Sequence, residues 1–142
     1  MPLKLDLHIH SESRGRVFIT AEKLRDTLKQ KRLDGVAITN FSNISHALWL
    51  KKKLSDYIII VGQEMHTTSG HIVGLGIKER IDDFLNPRET IGRIHEQAGI
   101  AVAVHPYLPL GLGKNVVSLP LDAIEAYNAA MGILFTYNYL AE

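Results

Sequence analysis

Short apolar runs that end in hydrogen-bonding or metal-ligating side chains are the feature that most restricts this chain. Residues 3–9, 35–39, 57–61, 100–104 and 123–127 have the length and residue types of strands, with longer amphipathic stretches between most of them. That alternation builds βα units around a parallel sheet. The expected class is therefore α/β, with further strand or extended character at 72–77. Thr20 is placed to cap a helix through Lys31, on which Leu24 and Leu28 share one face. Residues 43–54 read as a second helix with Lys51, Lys52 and Lys53 at its C-terminal end, where cations suit the dipole. Asn86, Pro87 and Glu89 form a helix start, and Gly99 marks where that helix has stopped. A last helix is expected over 129–140.

The residues at the run ends are His8 and His10, Asn40, Glu64, His105 and Asn128. In parallel sheets and barrels the C-terminal strand edge is where ligands and catalytic groups gather, whereas packing alone would favour Val, Ile or Leu there. His8 and His10, one residue apart on a strand, face the same side about 6.5–7 Å apart along the backbone, within reach of one ion. A surface pair beside a strand is the competing reading. Asp6, on the same face, suits a hydrogen bond deeper in the fold or to a ligand. Glu64 is expensive to bury unpaired, and either a bridging role between cations or a Lys or Arg partner would relieve that cost. His71 opens an apolar segment and His105 precedes Pro106. Each alone reads as a packed core histidine, and together with His8, His10 and Glu64 they read as a metal site. His66 ranks below these, and His46 and His95 fall in amphipathic helices, where surface or packing roles are expected.

Composition limits what this site can be. The chain has no cysteine, so disulfides, thiolate nucleophiles and Cys-type zinc sites are excluded, leaving His, Asp and Glu as ligands. Sixteen basic and fifteen acidic side chains leave a formal charge of +1, which by itself points to neither nucleic acid nor membrane. With 142 residues, one domain with its own core is expected over 1–142. No leader pattern opens the sequence and no apolar run approaches the ~20 residues that span a bilayer, so a cytoplasmic location is the expectation.

The ordered set of motifs resembles the PHP (polymerase and histidinol phosphatase) family of metal-dependent phosphoesterases. The matching pieces are Asp6-Leu7-His8-Ile9-His10-Ser11, Ala37-Ile38-Thr39, Gly62-Gln63-Glu64 and Gly70-His71 leading into Gly74-Leu75-Gly76-Ile77. Val104-His105-Pro106 and Ile124-Glu125-Ala126-Tyr127-Asn128 complete the set. The resemblance implies a distorted, seven-stranded TIM-like (βα) barrel holding two or three divalent ions, zinc, manganese or iron. It implies hydrolysis of a phosphate mono- or diester: a histidinol phosphate-like, nucleotide or oligonucleotide substrate. By that resemblance His8 and His10 bind one metal, Glu64 bridges, and His71 and His105 hold a second. Glu64 and His105 are then also the candidate catalytic residues, with Arg14, Asn128 and Lys114 as candidate substrate-binding residues.

Three departures stand out. Ser13-Arg14-Gly15 lies where the family has an acidic or histidine ligand. Asn40-Phe41 replaces the usual Asp-His, and the chain stops at Glu142 before an Asp-x-His segment. They remove ligands from the third metal position. The guanidinium of Arg14 can clamp a phosphate and stand in for that ion, or it is an exposed loop arginine. Only about five main strands are counted, so the chain is expected to lack C-terminal βα units or to be completed by a second chain or protomer, with Tyr137, Tyr139 and Leu140 suited to the contact. Two rival functions remain: a catalytically inactive PHP-like metal-binding or scaffold module, and a metal-dependent amidohydrolase on a similar barrel.

Overall fold

A computed structural model describes residues 2–13, 16–17, 19–41 and 43–128. Arg14 and the helix expected over 129–140, with Tyr137, Tyr139 and Leu140, lie outside these residues. The elements follow in the order β1 Leu5–Ile9, β2 Glu12–Ser13, β3 Arg16–Val17, α1 Ala21–Lys31, β4 Gly35–Ile38, α2 Ser45–Lys53, β5 Ile58–Thr67 and β6 Gly70–Leu75. They continue with α3 Pro87–Glu96, β7 Ile100–Ala103, a 3-10 helix Gly113–Ser118 and β8 Ala123–Ile124. Among the described residues, no helix is long and apolar enough to cross a membrane.

Six strands form one curled sheet in the order β1-β4-β5-β6-β7-β8, and β2 pairs with β3 in a small separate hairpin. This is a mixed α/β half-barrel of TIM-like character. The first three strands run parallel, as the sequence pattern implies. The expectation of a uniformly parallel sheet fails at β5. That strand does not end near Val61 but continues to Thr67 and folds back antiparallel on β6, which pairs antiparallel with β7 in turn. The cause is local: Thr67 and Gly70 close a tight turn, with Thr67 Oγ1 donating to the Gly70 carbonyl and Gly70 at φ +134°, a backbone region open to glycine. No crossover helix fits in so short a connection.

The caps behave as residue chemistry dictates. Thr20 Oγ1 accepts from Lys23 N at 3.2 Å, and Asn86 Oδ1 accepts from Glu89 N at 3.0 Å behind Pro87. The second helix starts at Ser45 rather than Asn43, because Asn43 turns its Oδ1 to Ser45 N at 3.1 Å and stays outside.

Strand periodicity divides the core in two. Val36, Ile38, Ile59, Val61, Ile72, Ala101 and Ala103 pack against Leu24 and Leu28 of α1, Leu50 of α2, and Ile91 and Ile94 of α3. The alternate residues Ala37, Ile60, Val73, Leu75, Val102 and Val104 form a small apolar cluster on the face turned away from the helices. Glu64 continues the row of Ile60 along β5, and His71 continues that of Val73 along β6. The polar groups of interest therefore sit at one end of that second face.

Gln63 points the other way and fastens the long connection after β6. Its Oε1 accepts from Ile81 N at 3.0 Å and its Nε2 donates to the Ile81 carbonyl at 2.7 Å, with the side chain fully buried. Replacing it by Leu keeps the volume but strands both Ile81 groups. Gln63→Leu is expected to lower stability by about 1–3 kcal/mol in urea unfolding, with faster amide exchange at Ile81. Unchanged exchange there would remove Gln63 as the fastener.

Candidate metal centre

Four strands, β1, β5, β6 and β7, bring one carboxylate and four imidazoles to a common point. Glu64, 1% exposed, receives His8 Nε2 at 3.0 Å and His10 Nε2 at 2.8 Å on Oε2. His71 Nδ1 at 2.8 Å and His105 Nε2 at 3.0 Å reach its other oxygen, Oε1. His8, His10, Glu64, His71 and His105 meet here, with one correction to the expected placement. Glu64 lies inside β5 rather than at its end, but past the last residue of β4, where only Phe41 forms a parallel bridge to it. His71 lies at the start of its strand. Because β6 runs antiparallel, that start falls on the same sheet edge as the ends of the parallel strands.

Each ligand candidate is placed by its own local structure. The β1–β4 register is irregular between Asp6 and Ile9, which lets His8 and His10 converge on one oxygen with ring centroids 5.5 Å apart. Asp6 does not reach the interior; it is exposed and accepts from His8 N at 3.2 Å. His105 follows β7 at φ +33°, a backbone uncommon for any residue with a side chain. Its N–H donates to Glu125 Oε2 at 2.7 Å, which helps to hold that conformation.

Glu125 is the site residue that sequence reasoning passed over. The strand expected over 123–127 stops at Ile124, so Glu125, not Asn128, is its terminal polar group. Oε1 of Glu125 lies 2.9 Å from His8 Nδ1, while Oε2 accepts from His105 N and from Asn128 Nδ2 at 3.0 Å. A carboxylate on the far nitrogen of a ligating imidazole fixes the tautomer and aims the other nitrogen at the ion. Asn128, expected to contact substrate, holds Glu125. Lys114 is exposed on the 3-10 helix and makes no ion pair among the described residues.

Asn40 and Phe41 both have structural work beside this cluster. Asn40 is fully buried; its Oδ1 accepts from Ser11 N at 2.7 Å and Glu12 N at 3.2 Å, and its Nδ2 donates to Ser11 Oγ at 3.0 Å. Ser11 Oγ is then free to donate to His46 Nδ1 at 2.7 Å. Burial holds the His46 imidazole below its ordinary value, consistent with an acceptor nitrogen there. His46, expected on a surface or packing face, thus anchors the turn that carries His10. Phe41 stacks on His10 at 4.5 Å and lies 4.8 Å from His66 and 5.9 Å from His71. His95 pairs with Asp122 at 2.8 Å, exposed and apart from the cluster.

The electrostatics suit cations. Burial alone would lift the Glu64 carboxyl, but hydrogen bonds from His10, His105, His71 and His8 outweigh it and hold the group far below the usual carboxylate range. Burial likewise opposes charge on His8, yet Glu125 and Glu64 on its two nitrogens raise it to about 9. Two donor groups form, His8–His10–Glu64 and Glu64–His71–His105, each with its donor atoms within 4.8 Å of one another. Donors held cis on one ion at ~2.0–2.2 Å stand about 3 Å apart. The nitrogen–oxygen separations around Glu64, 2.8–3.0 Å, match that spacing. The residues therefore fit divalent-ion binding around the Glu64 carboxylate.

No protein-family model matches the chain. It is 37% identical over 141 residues to uncharacterized protein MJ1587 of Methanocaldococcus jannaschii, a match covering 89% of this chain and 82% of that protein. Two solved structures share the fold. One is a two-domain protein containing a predicted PHP-like metal-dependent phosphoesterase from Bacteroides vulgatus, with TM-score 0.59 and 17% identity; the match covers 94% of this chain and spans 41% of that protein's length. The other is an inferred metal-dependent phosphoesterase from Bifidobacterium adolescentis, with TM-score 0.65 and 11% identity, covering 98% of this chain and 84% of that one.

Two outcomes test the centre. Glutamine at 125 offers one acceptor oxygen where Glu125 uses two, so Glu125→Gln is expected to weaken divalent-ion binding about 10- to 100-fold in a chelator competition; wild-type affinity would remove Glu125 from the centre. In the ion-free protein His8 holds its proton up to about 9. Ion uptake must displace it, so calorimetry in buffers of different ionisation enthalpy should show proton release and an affinity that rises with pH towards 9. Its stabilising charge in the ion-free state is correspondingly complete below pH ~6.5 and lost as pH climbs through 9.

Proposed function

The chain belongs to one family with that uncharacterized archaeal protein, and we propose that it is a divalent-metal-dependent phosphoesterase acting on a phosphate mono- or diester. The observation that carries the reading is the buried Glu64 carboxylate with an imidazole pair on each oxygen. The resemblance of the two solved structures, both described as phosphoesterases, supports it. By this reading His8 and His10 would hold one ion and His71 and His105 a second, with the Glu64 carboxylate within reach of both. The metal is zinc, manganese or iron, since histidine and carboxylate donors suit all three. When bound, such ions activate water near neutral pH and neutralise charge on the phosphoryl group.

The chain's own residues do the rest. Glu125 keeps the His8 Nδ1 proton and so directs Nε2 inward. The backbone of His105, tied to the same carboxylate, keeps its ring aimed at Glu64. Burial of Glu64 excludes water that would weaken these contacts. We assign Glu64 and His105 to the reacting centre, and Arg14 to the phosphate by its charge.

One observation favours the rival module. Phe41 sits among His10, His66 and His71, so an aromatic ring packs where a further ligand would be. The deciding experiment is metal analysis of tag-free protein followed by hydrolysis of a phenyl phosphate with and without manganese. The enzyme reading expects about two ions per chain, metal-dependent turnover, and loss of at least ~100-fold in kcat/KM for His8→Ala. Tight metal without turnover on mono- and diesters would establish the scaffold instead.

A further inference from the structure

Three near-parallel ring contacts lead outward from the centre. His10 stacks on Phe41 at 4.5 Å and 28°, Phe41 lies against His66 at 4.8 Å and 31°, and His66 stacks on Phe84 at 6.0 Å and 26°. The last ring is 73% exposed, which leaves an aromatic surface facing solvent at the end of the row. Contacts of 4.3 Å and 6.0 Å, through His66, are all that separate Phe84 from His71.

Phe84 is held there rather than loosely extruded. It adopts φ +64°, an uncommon backbone for an aromatic residue. Its N–H donates to the His66 carbonyl at 2.6 Å, and the preceding Asp83 accepts from His66 N at 2.9 Å. Leu85 O accepts from Thr68 N at 3.0 Å, so both sides of Phe84 are fastened to β5 or its turn. Gln63, through Ile81, fixes the same segment from below. A hydrophobic side chain placed this way gains little burial in the chain itself. A pinned, exposed aromatic ring one histidine away from a cation site has the form of a stacking platform for a planar group.

We propose that Phe84, backed by His66, binds the planar ring of the substrate, and that the substrate class is a phosphate ester whose organic group carries an aromatic base. This rests on the phosphoesterase reading, because the platform is defined by its position beside that centre. A nucleoside monophosphate and ribose 5-phosphate differ only by the base, which makes them the discriminating pair. With the metal-loaded full chain, kcat/KM for the nucleotide should exceed that for the sugar phosphate by about 5- to 150-fold, the range expected for base stacking. Phe84→Ala should bring the ratio close to one, mainly through KM, and Phe84→Trp should restore it. A wild-type ratio near one, or a ratio that survives Phe84→Ala, overturns the proposal. If neither compound is hydrolysed, the phosphoesterase reading has failed for these substrates. Calorimetric binding of the same pair to wild type and Phe84→Ala then decides on the platform alone: a base-dependent affinity lost in the variant supports it, and equal affinities refute it.

Discussion

A carboxylate cannot be left alone in a protein interior, and the architecture of this chain follows from where it puts Glu64. At 1% exposure the group has given up its hydration. Only charge-bearing or strongly donating partners on both oxygens offset the several kcal/mol this costs. Those partners come from β1, β6 and the end of β7, and β4 and β5 separate β1 from the other two in the sheet. The sheet must curl for them to meet. The His8–Glu125 contact then ties β1 to the segment after β8, its two outer strands, across 117 residues of sequence. The helix-packed core sets the curvature, while the polar cluster fixes where the rims come together.

Much of this arrangement is legible in the sequence alone. Helix caps were legible because Thr20 and Asn86 act on backbone groups three residues away, a local matter. His8, His10, Glu64, His71 and His105 were legible as polar residues out of place in apolar runs. The antiparallel turn-back of β5 and β6 was not, since Ile58–Thr67 alternates no differently whether its partner runs up or down. Glu125 was missed for a related reason: strand length is set by pairing, and β8 pairs over two residues only, so the terminal position fell three residues earlier than the apolar pattern implied.

Asn40 and Phe41, which stand where the family resemblance implies an Asp-His pair, have a coherent structural role. Asn40 accepts two backbone N–H groups and also donates to Ser11 Oγ, which an aspartate cannot do in its ionised form. The turn bearing His10 therefore gains a neutral, fully hydrogen-bonded anchor ending on His46. Phe41 fills the adjoining space with a ring that stacks on His10 and lies against His66.

Backbone strain follows the same geography. Among the described residues, five non-glycine residues have positive φ: Arg32, Phe84, Ala98, His105 and Leu110. Arg32 and Ala98 lie just past the C-terminal ends of α1 and α3, where a left-handed residue is an ordinary stop. The other three lie beside the centre, bonded to His71, to the Glu125 carboxylate or to the neighbouring His66. Phe84 N donates to the His66 carbonyl, Leu110 O accepts from His71 N, and His105 N donates to Glu125. Strain of this kind persists only where surrounding contacts over-determine it. Its presence in two separate loops, one after β6 and one after β7, that converge on one cluster indicates that the fold gives up stability to hold these imidazoles and their aromatic rim in fixed positions. Packing alone gives no reason for that expense, and a site that must present set donors to an ion and a set surface to a ligand does.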